Sequence, residues 1–168
     1  MYPSLLKVTL LAVTMAMGTS AYAAGDAEAG QAKAATCVAC HGVDGNSAVP
    51  TFPKLAGLGH KYLLKQMQDI RDGRRPVALM AGQVDNMTDQ DLSDIAAFYD
   101  SQSRTGGMAD PDKVALGRKV YLAGIAERQV PACSGCHSPT GNGNGPAGYP
   151  ALGGQHADYI AAQLKMFR

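Results

Sequence analysis

Apolar residues three and four apart mark two stretches in the first half of the chain. Leu63, Leu64, Met67 and Ile70 form one set, and Leu92, Ile95, Ala96 and Tyr99 the other, the spacing of helices that bury one side. The first is predicted over about His60 to Asp72, with Gly73 as its C-terminal stop. The second begins after Thr88, whose hydroxyl can cap while Asp91 reaches back, and runs from Asp89 to about Gln102. Asp26 is placed to cap a short helix from Ala27 to about Ala35. Proline- and glycine-rich loops separate these elements and nothing alternates with a strand's period, so the expected class is all-α.

A different apolar pattern opens the chain. Lys7 precedes the run Val8 to Met17, followed by Gly18-Thr19-Ser20 and the small-residue site Ala21-Tyr22-Ala23. This is the order of a secretory signal peptide, residues 1–23, cleaved after Ala23. The run is about half of the roughly 20 residues a membrane span needs. The expected location is therefore the periplasm.

The remainder repeats itself. Cys37-Val38-Ala39-Cys40-His41 returns as Cys133-Ser134-Gly135-Cys136-His137 at an offset of 96, and past a one-residue insertion Phe52-Pro53, Leu55, Tyr62 and Gln66 match Tyr149-Pro150, Leu152, Tyr159 and Gln163 at 97. Two homologous modules follow, residues 24–102 and 111–168, joined by a polar, glycine-rich linker at 103–110.

These two pentapeptides contain all four cysteines and two of the four histidines. C-x-x-C-H is the attachment signature of c-type haem. Two thiols one helical turn apart can add to the two vinyl groups of one porphyrin, and the adjacent imidazole then reaches the iron. Disulfides, a zinc ribbon or a thioredoxin-like site would use the same cysteines, but none explains a histidine directly after the second cysteine twice over. The expectation is two covalently bound haem c groups, on Cys37 and Cys40 and on Cys133 and Cys136, with His41 and His137 as axial iron ligands.

Composition and charge agree. Without Lys7 the 15 basic and 14 acidic side chains become 14 of each, which argues against a nucleic-acid surface. The chain has no Trp and only three Phe, a thin apolar supply that two porphyrins would supplement.

For the first iron's other axial position the candidates are Met67, Met80, Met87 and His60. Met67 lies on an apolar helical stripe, and Met87 stands where a hydrophobic staple to Leu92 would place it. His60 opens a helix and reads as solvent-facing or capping. Met80 remains, in the irregular segment from Pro76 to Asn86 beside Ala81-Gly82. A soft sulfur opposite imidazole favours ferrous iron and a raised potential. With both axial positions filled, oxygen and peroxide have no open site, which points to an electron carrier rather than a catalyst.

The paired modules, Cys37-Val-Ala-Cys-His-Gly-Val-Asp-Gly-Asn, Phe52-Pro-Lys-Leu-Ala-Gly, Tyr62-Leu-Leu-Lys-Gln, Asp89-Gln-Asp-Leu-Ser-Asp-Ile-Ala-Ala-Phe-Tyr and Gly153-Gly-Gln-His, together resemble the dihaem cytochrome c4 family. The resemblance implies two tandem cytochrome c-like helical domains around covalently bound haems, related by a pseudo-twofold, with haem propionates meeting near their interface. It implies Met80 as distal ligand, and the carbonyls of Pro53 and Pro150 as acceptors of the second N–H of His41 and His137. It further implies a periplasmic monomer, loosely membrane-associated at most, that takes electrons from a quinol-oxidising complex and passes them to a terminal oxidase. The alternatives are the cytochrome subunit of a flavocytochrome sulfide dehydrogenase and a dihaem peroxidase-type enzyme.

One departure from that pattern stands out. An offset of 97 from Met80 falls near position 177, beyond Arg168, so the second module is expected to be incomplete, as in a shortened version of a longer protein. It lacks counterparts of Met80 and of the final helix, which in such cytochromes packs across the first (here the helix from Pro111 to about Ala123). The second distal ligand is left unassigned. His156 and Met166, the other candidates, read as structural.

Overall fold

Two helical modules lie side by side in the computed structural model, which describes residues 25–167; the signal-peptide expectation lies outside the described residues. The first module contains α1 (Ala27–Lys33), a 3₁₀ turn into the one-turn α2 (Val38–His41), α3 (His60–Arg71) and α4 (Asp89–Asp100). The second contributes α5 (Pro111–Ala123), the one-turn α6 (Ser134–His137) and α7 (Ala157–Met166). Pairing between extended segments is limited, among the described residues, to the isolated bridges Ile125–Val130 and Asn144–Tyr149.

The helix ends follow local chemistry. The Asp26 carboxylate accepts from the backbone N–H groups of Glu28 and Ala29, covering free donors of α1. Thr88 and Asp91 form a reciprocal capping box at α4, and Met87 packs against the core beneath it. After α3 the backbone turns at Gly73 with φ +73°, as the sequence leads one to expect.

The core of the first module is where α4 meets α1 and α3. Ala34, Leu58, Leu63, Ile95, Ala96, Phe98 and Tyr99 form one buried cluster, with Met67 packed against it. The crossing of α1 over α4 is close because Gly30 has no side chain: a Cβ there would lie 2.0 Å from the carbonyl oxygen of Asp94. Asp94 is itself buried and receives the N–H of Asp26 at 2.9 Å, the Lys33 amine at 2.6 Å and the Gln90 amide at 2.8 Å. The charge is thus paired and hydrogen-bonded, as a buried carboxylate requires.

The second module contrasts with this. Neither α5, α6 nor α7 has a buried residue, and Val114, Leu116 and Leu122 of α5 are exposed. Among the described residues no helix stands to α5 as α4 stands to α1.

A polar seam joins the modules. The backbone of Lys54 exchanges two hydrogen bonds with the Gln155 side chain, at 2.9 and 2.8 Å, and its amine donates to the linker residue Thr105. The side chain of Asn46 accepts from Thr105 and donates to the Ser103 carbonyl. Arg75 crosses to Tyr159 and Gln163 on α7.

Candidate functional site

Each Cys-x-x-Cys-His segment forms a single helical turn, and that turn sets the site. In the first module the 3₁₀ turn Ala34–Thr36 runs into α2, so Cys37 and Cys40 sit one turn apart with His41 immediately after. In the second, α6 places Cys133, Cys136 and His137 alike. None of the four cysteines is joined in a disulfide. Among the described residues no three His, Cys, Asp or Glu side chains converge as a metal cluster, so the two cysteine pairs do not meet as a zinc ribbon would require.

The chain reverses after each histidine through a positive φ, at Gly42 (φ +81°) and Ser138 (φ +67°). Glycine takes this conformation without strain. Serine does so at a cost, and its hydroxyl accepts the N–H of Asn142 at 3.0 Å. The reversal brings the downstream proline under the imidazole. His41 Nδ1–H donates to the Pro53 carbonyl at 2.9 Å, and His137 Nδ1–H to the Pro150 carbonyl at 2.8 Å. Because a carbonyl can only accept, Nδ1 carries the proton in both rings and Nε2 presents its lone pair. Phe52 and Tyr149, equivalent in the repeat, stand edge-on to His41 and His137 at centroid distances of 6.3 and 5.9 Å.

Electrostatics favour a neutral ligand. Burial lowers the pKa of His41 against the opposing pull of the Pro53 hydrogen bond, so the ring is uncharged at neutral pH. Tyr99 of α4 lies over the Cys37 sulfur, and burial holds its hydroxyl protonated.

A porphyrin fits these residues. Paired thiols and an oriented neutral imidazole are the donor set that c-type haem requires. Among the described residues of the second module only Gly141 and Ala151 are buried. Met80 ends a short 3₁₀ turn, Ala78–Met80, and is half-buried.

The competing candidates are placed elsewhere. Met67 and Met87 pack on the core, and Met166 is exposed on α7. His156 Nε2 donates to the Ser47 carbonyl at 2.9 Å across the seam. The expectation for His60 is corrected: it is half-buried, and its Nε2 donates to Ser93 on α4 at 3.1 Å, tying α3 to α4. Spacing could not show this, because the partner lies 33 positions away. Tyr121 was also missed. From α5 its hydroxyl donates to the Ser138 carbonyl at 2.6 Å, bracing the turn after His137, and no sequence signal marks it.

Comparison with known proteins places this geometry. The family model for cytochrome c matches residues 27–103 and 114–168. The chain is 58% identical over 163 residues to cytochrome c4 of Pseudomonas aeruginosa, covering 97% of this chain and 81% of that protein. It is 56% identical to cytochrome c4 of Azotobacter vinelandii, covering 96% and 80%. The crystal structure of reduced recombinant cytochrome c4 from Pseudomonas stutzeri superimposes with a TM-score of 0.84 at 55% identity, covering 86% of this chain and 81% of that one.

Proposed function

The chain belongs to the cytochrome c4 family, and on that premise we propose that it works in the periplasm, taking single electrons from a quinol-oxidising complex and delivering them to a terminal oxidase. It is a dihaem c-type electron carrier with two covalently bound haem c groups. Membership in a family of electron-transfer proteins sets the peroxidase alternative aside. Among the described residues no helix is long and apolar enough to cross a membrane.

Each haem, when bound, supplies an iron that alternates between ferric and ferrous. The chain's own residues hold it. Cys37 and Cys40 form the thioether bonds of the first module and Cys133 and Cys136 those of the second. His41 and His137 are the proximal ligands and Met80 is the distal ligand of the first iron. The working units are the modules 24–102 and 111–168, joined by the linker 103–110.

The observation that carries this reading is the twofold occurrence of one arrangement, a cysteine pair on a helical turn with an imidazole locked by a proline carbonyl. Locking matters because electron transfer is fast when the ligand set need not rearrange between oxidation states. The test is a redox titration of the mature protein with visible spectroscopy. Two covalent haems per chain are expected, with a far-red sulfur-to-iron band that Met80→Ala abolishes for the first haem while lowering its potential. An unchanged band in Met80→Ala would remove Met80 from the iron.

A further inference from the structure

We propose that the second module holds the first haem's distal segment in place: Arg75, reaching across the seam to Tyr159 and Gln163 of α7, is a positioning residue for the Met80 sulfur. This rests on the assignment of Met80 as ligand.

The segment from Pro76 to Gln83 is held weakly by its own module. Pro76, Ala78, Leu79, Ala81, Gly82 and Gln83 are exposed. Its backbone makes only short-range turns, such as Met80 N–H to the Val77 carbonyl at 2.9 Å and Gln83 N–H to the Met80 carbonyl at 3.0 Å. A recess of about 480 Å³, lined by Ile70, Arg71, Pro76 and Val77 among others, separates it from the end of α3. Few buried contacts and exposed turns are the marks of a segment that opens locally at low free energy.

Two anchors bound it. On the C-terminal side Val84 is 3% exposed and sits in the protein interior. On the N-terminal side the anchor is Arg75, whose backbone N–H donates to the Asp69 carbonyl at 2.8 Å. Its guanidinium donates from Nη2 to the Tyr159 hydroxyl at 3.1 Å and to Gln163 Oε1 at 2.8 Å. Its neighbours in sequence behave differently: Arg71 pairs with Asp72 and Asp89, and Arg74 with Asp69 and Asp72, all within the first module. Arg75 has no carboxylate partner among the described residues, and both of its side-chain hydrogen bonds go to α7. A planar guanidinium satisfied by two acceptors has one preferred placement, and it fixes the chain five residues before Met80.

A thioether leaves the iron when its segment swings away, so the sulfur's hold depends on the free energy of that local opening. Two hydrogen bonds from a charged donor that is only half-buried, discounted for screening by solvent, are expected to change the open population about tenfold. Through this contact the first haem's ligand becomes sensitive to whatever disturbs α7.

The test uses the full-length, haem-loaded ferric protein titrated with imidazole, which competes for the distal position. Loss of the far-red band is the readout, and the part of it that is missing in Met80→Ala is assigned to the first haem. Arg75→Gln is expected to lower the half-saturating imidazole concentration about tenfold, and Arg75→Lys to restore part of the difference. The double variant Tyr159→Phe with Gln163→Ala, which substitutes no residue of the first module although Tyr159 also meets Tyr62, is expected to match Arg75→Gln, and combining all three changes to add nothing more. A half-saturation within twofold of the wild type in Arg75→Gln, or independent effects from the two sides of the seam, overturns the strap while leaving the carrier reading intact. If Arg75→Gln does not accumulate with two haems, the α7 variant decides alone by the same thresholds. A far-red band undiminished in Met80→Ala overturns the ligand assignment and the strap with it.

Discussion

Gly30→Ala inserts one methyl group between α1 and α4, and opposing effects set the sign of its consequence. In an isolated helix the change is favourable by about 1 kcal/mol, because alanine loses less backbone entropy on ordering. Here the new Cβ would stand 2.0 Å from the Asp94 carbonyl oxygen and 2.4 Å from its carbon. Both are backbone atoms of α4 and cannot rotate away. The 2.0 Å separation must grow to about 3.5 Å, ordinary contact. Parting the helices costs about 1–3 kcal/mol in disturbed packing. It also stretches the bonds that Asp94 receives from Asp26 at 2.9 Å and Lys33 at 2.6 Å, adding about 1–2 kcal/mol. The net expectation is a loss of about 1–4 kcal/mol, centred near 2.5, where the fall in Tm is about 5–10 °C. Gly106→Ala in the linker is the control: its Cβ would meet nothing within 4 Å, so that variant should stay within about 0.5 kcal/mol of the wild type. Thermal unfolding of the haem-loaded proteins, followed by circular dichroism, reads both. A Gly30→Ala protein that melts at or above the wild type would refute the reasoning, as would equal shifts in the two variants.

The Lys33 amine, followed by the Asp26 N–H, holds the Asp94 carboxyl below the usual carboxylate range. A carboxylate with a depressed folded pKa stabilises fully above its unfolded value, near 3.9, and that contribution is lost as pH falls through the folded value. Asp94→Asn should therefore cost about 2 kcal/mol at neutral pH, with the gap to wild type closing as denaturant midpoints are followed from pH 6 down to pH 3; a gap independent of pH would exclude this role. Thr88→Ala removes the capping box of α4 and should cost about 1 kcal/mol in the same unfolding measurement, without shifting the visible spectrum of either haem.

Features written in short stretches of chain could be read directly. The two cysteine turns, the Asp26 and Thr88 caps and the apolar stripes of α3 and α4 each depend on residues within about one or two helical turns, and local chemistry specifies them. The repeat extended this by letting each module predict the other, as with Phe52 and Tyr149 beside the two imidazoles. Other features depend on which face of one element opposes which face of another. His60 opens α3 as its position suggests, but its tie to Ser93 on α4 exists only in the packed structure. Gly30 reads in the sequence as an ordinary helical glycine, and only the packing shows that the backbone of α4 crosses it. Arg75 sits in a run of arginines, and nothing local distinguishes the one that reaches Tyr159 from the two that pair at home. Helix caps and haem turns are matters of neighbouring bonds, whereas these roles exist only once residues far apart in the chain are packed together, since hydrogen bonds and van der Waals contacts act over a few ångströms of space without regard to sequence separation.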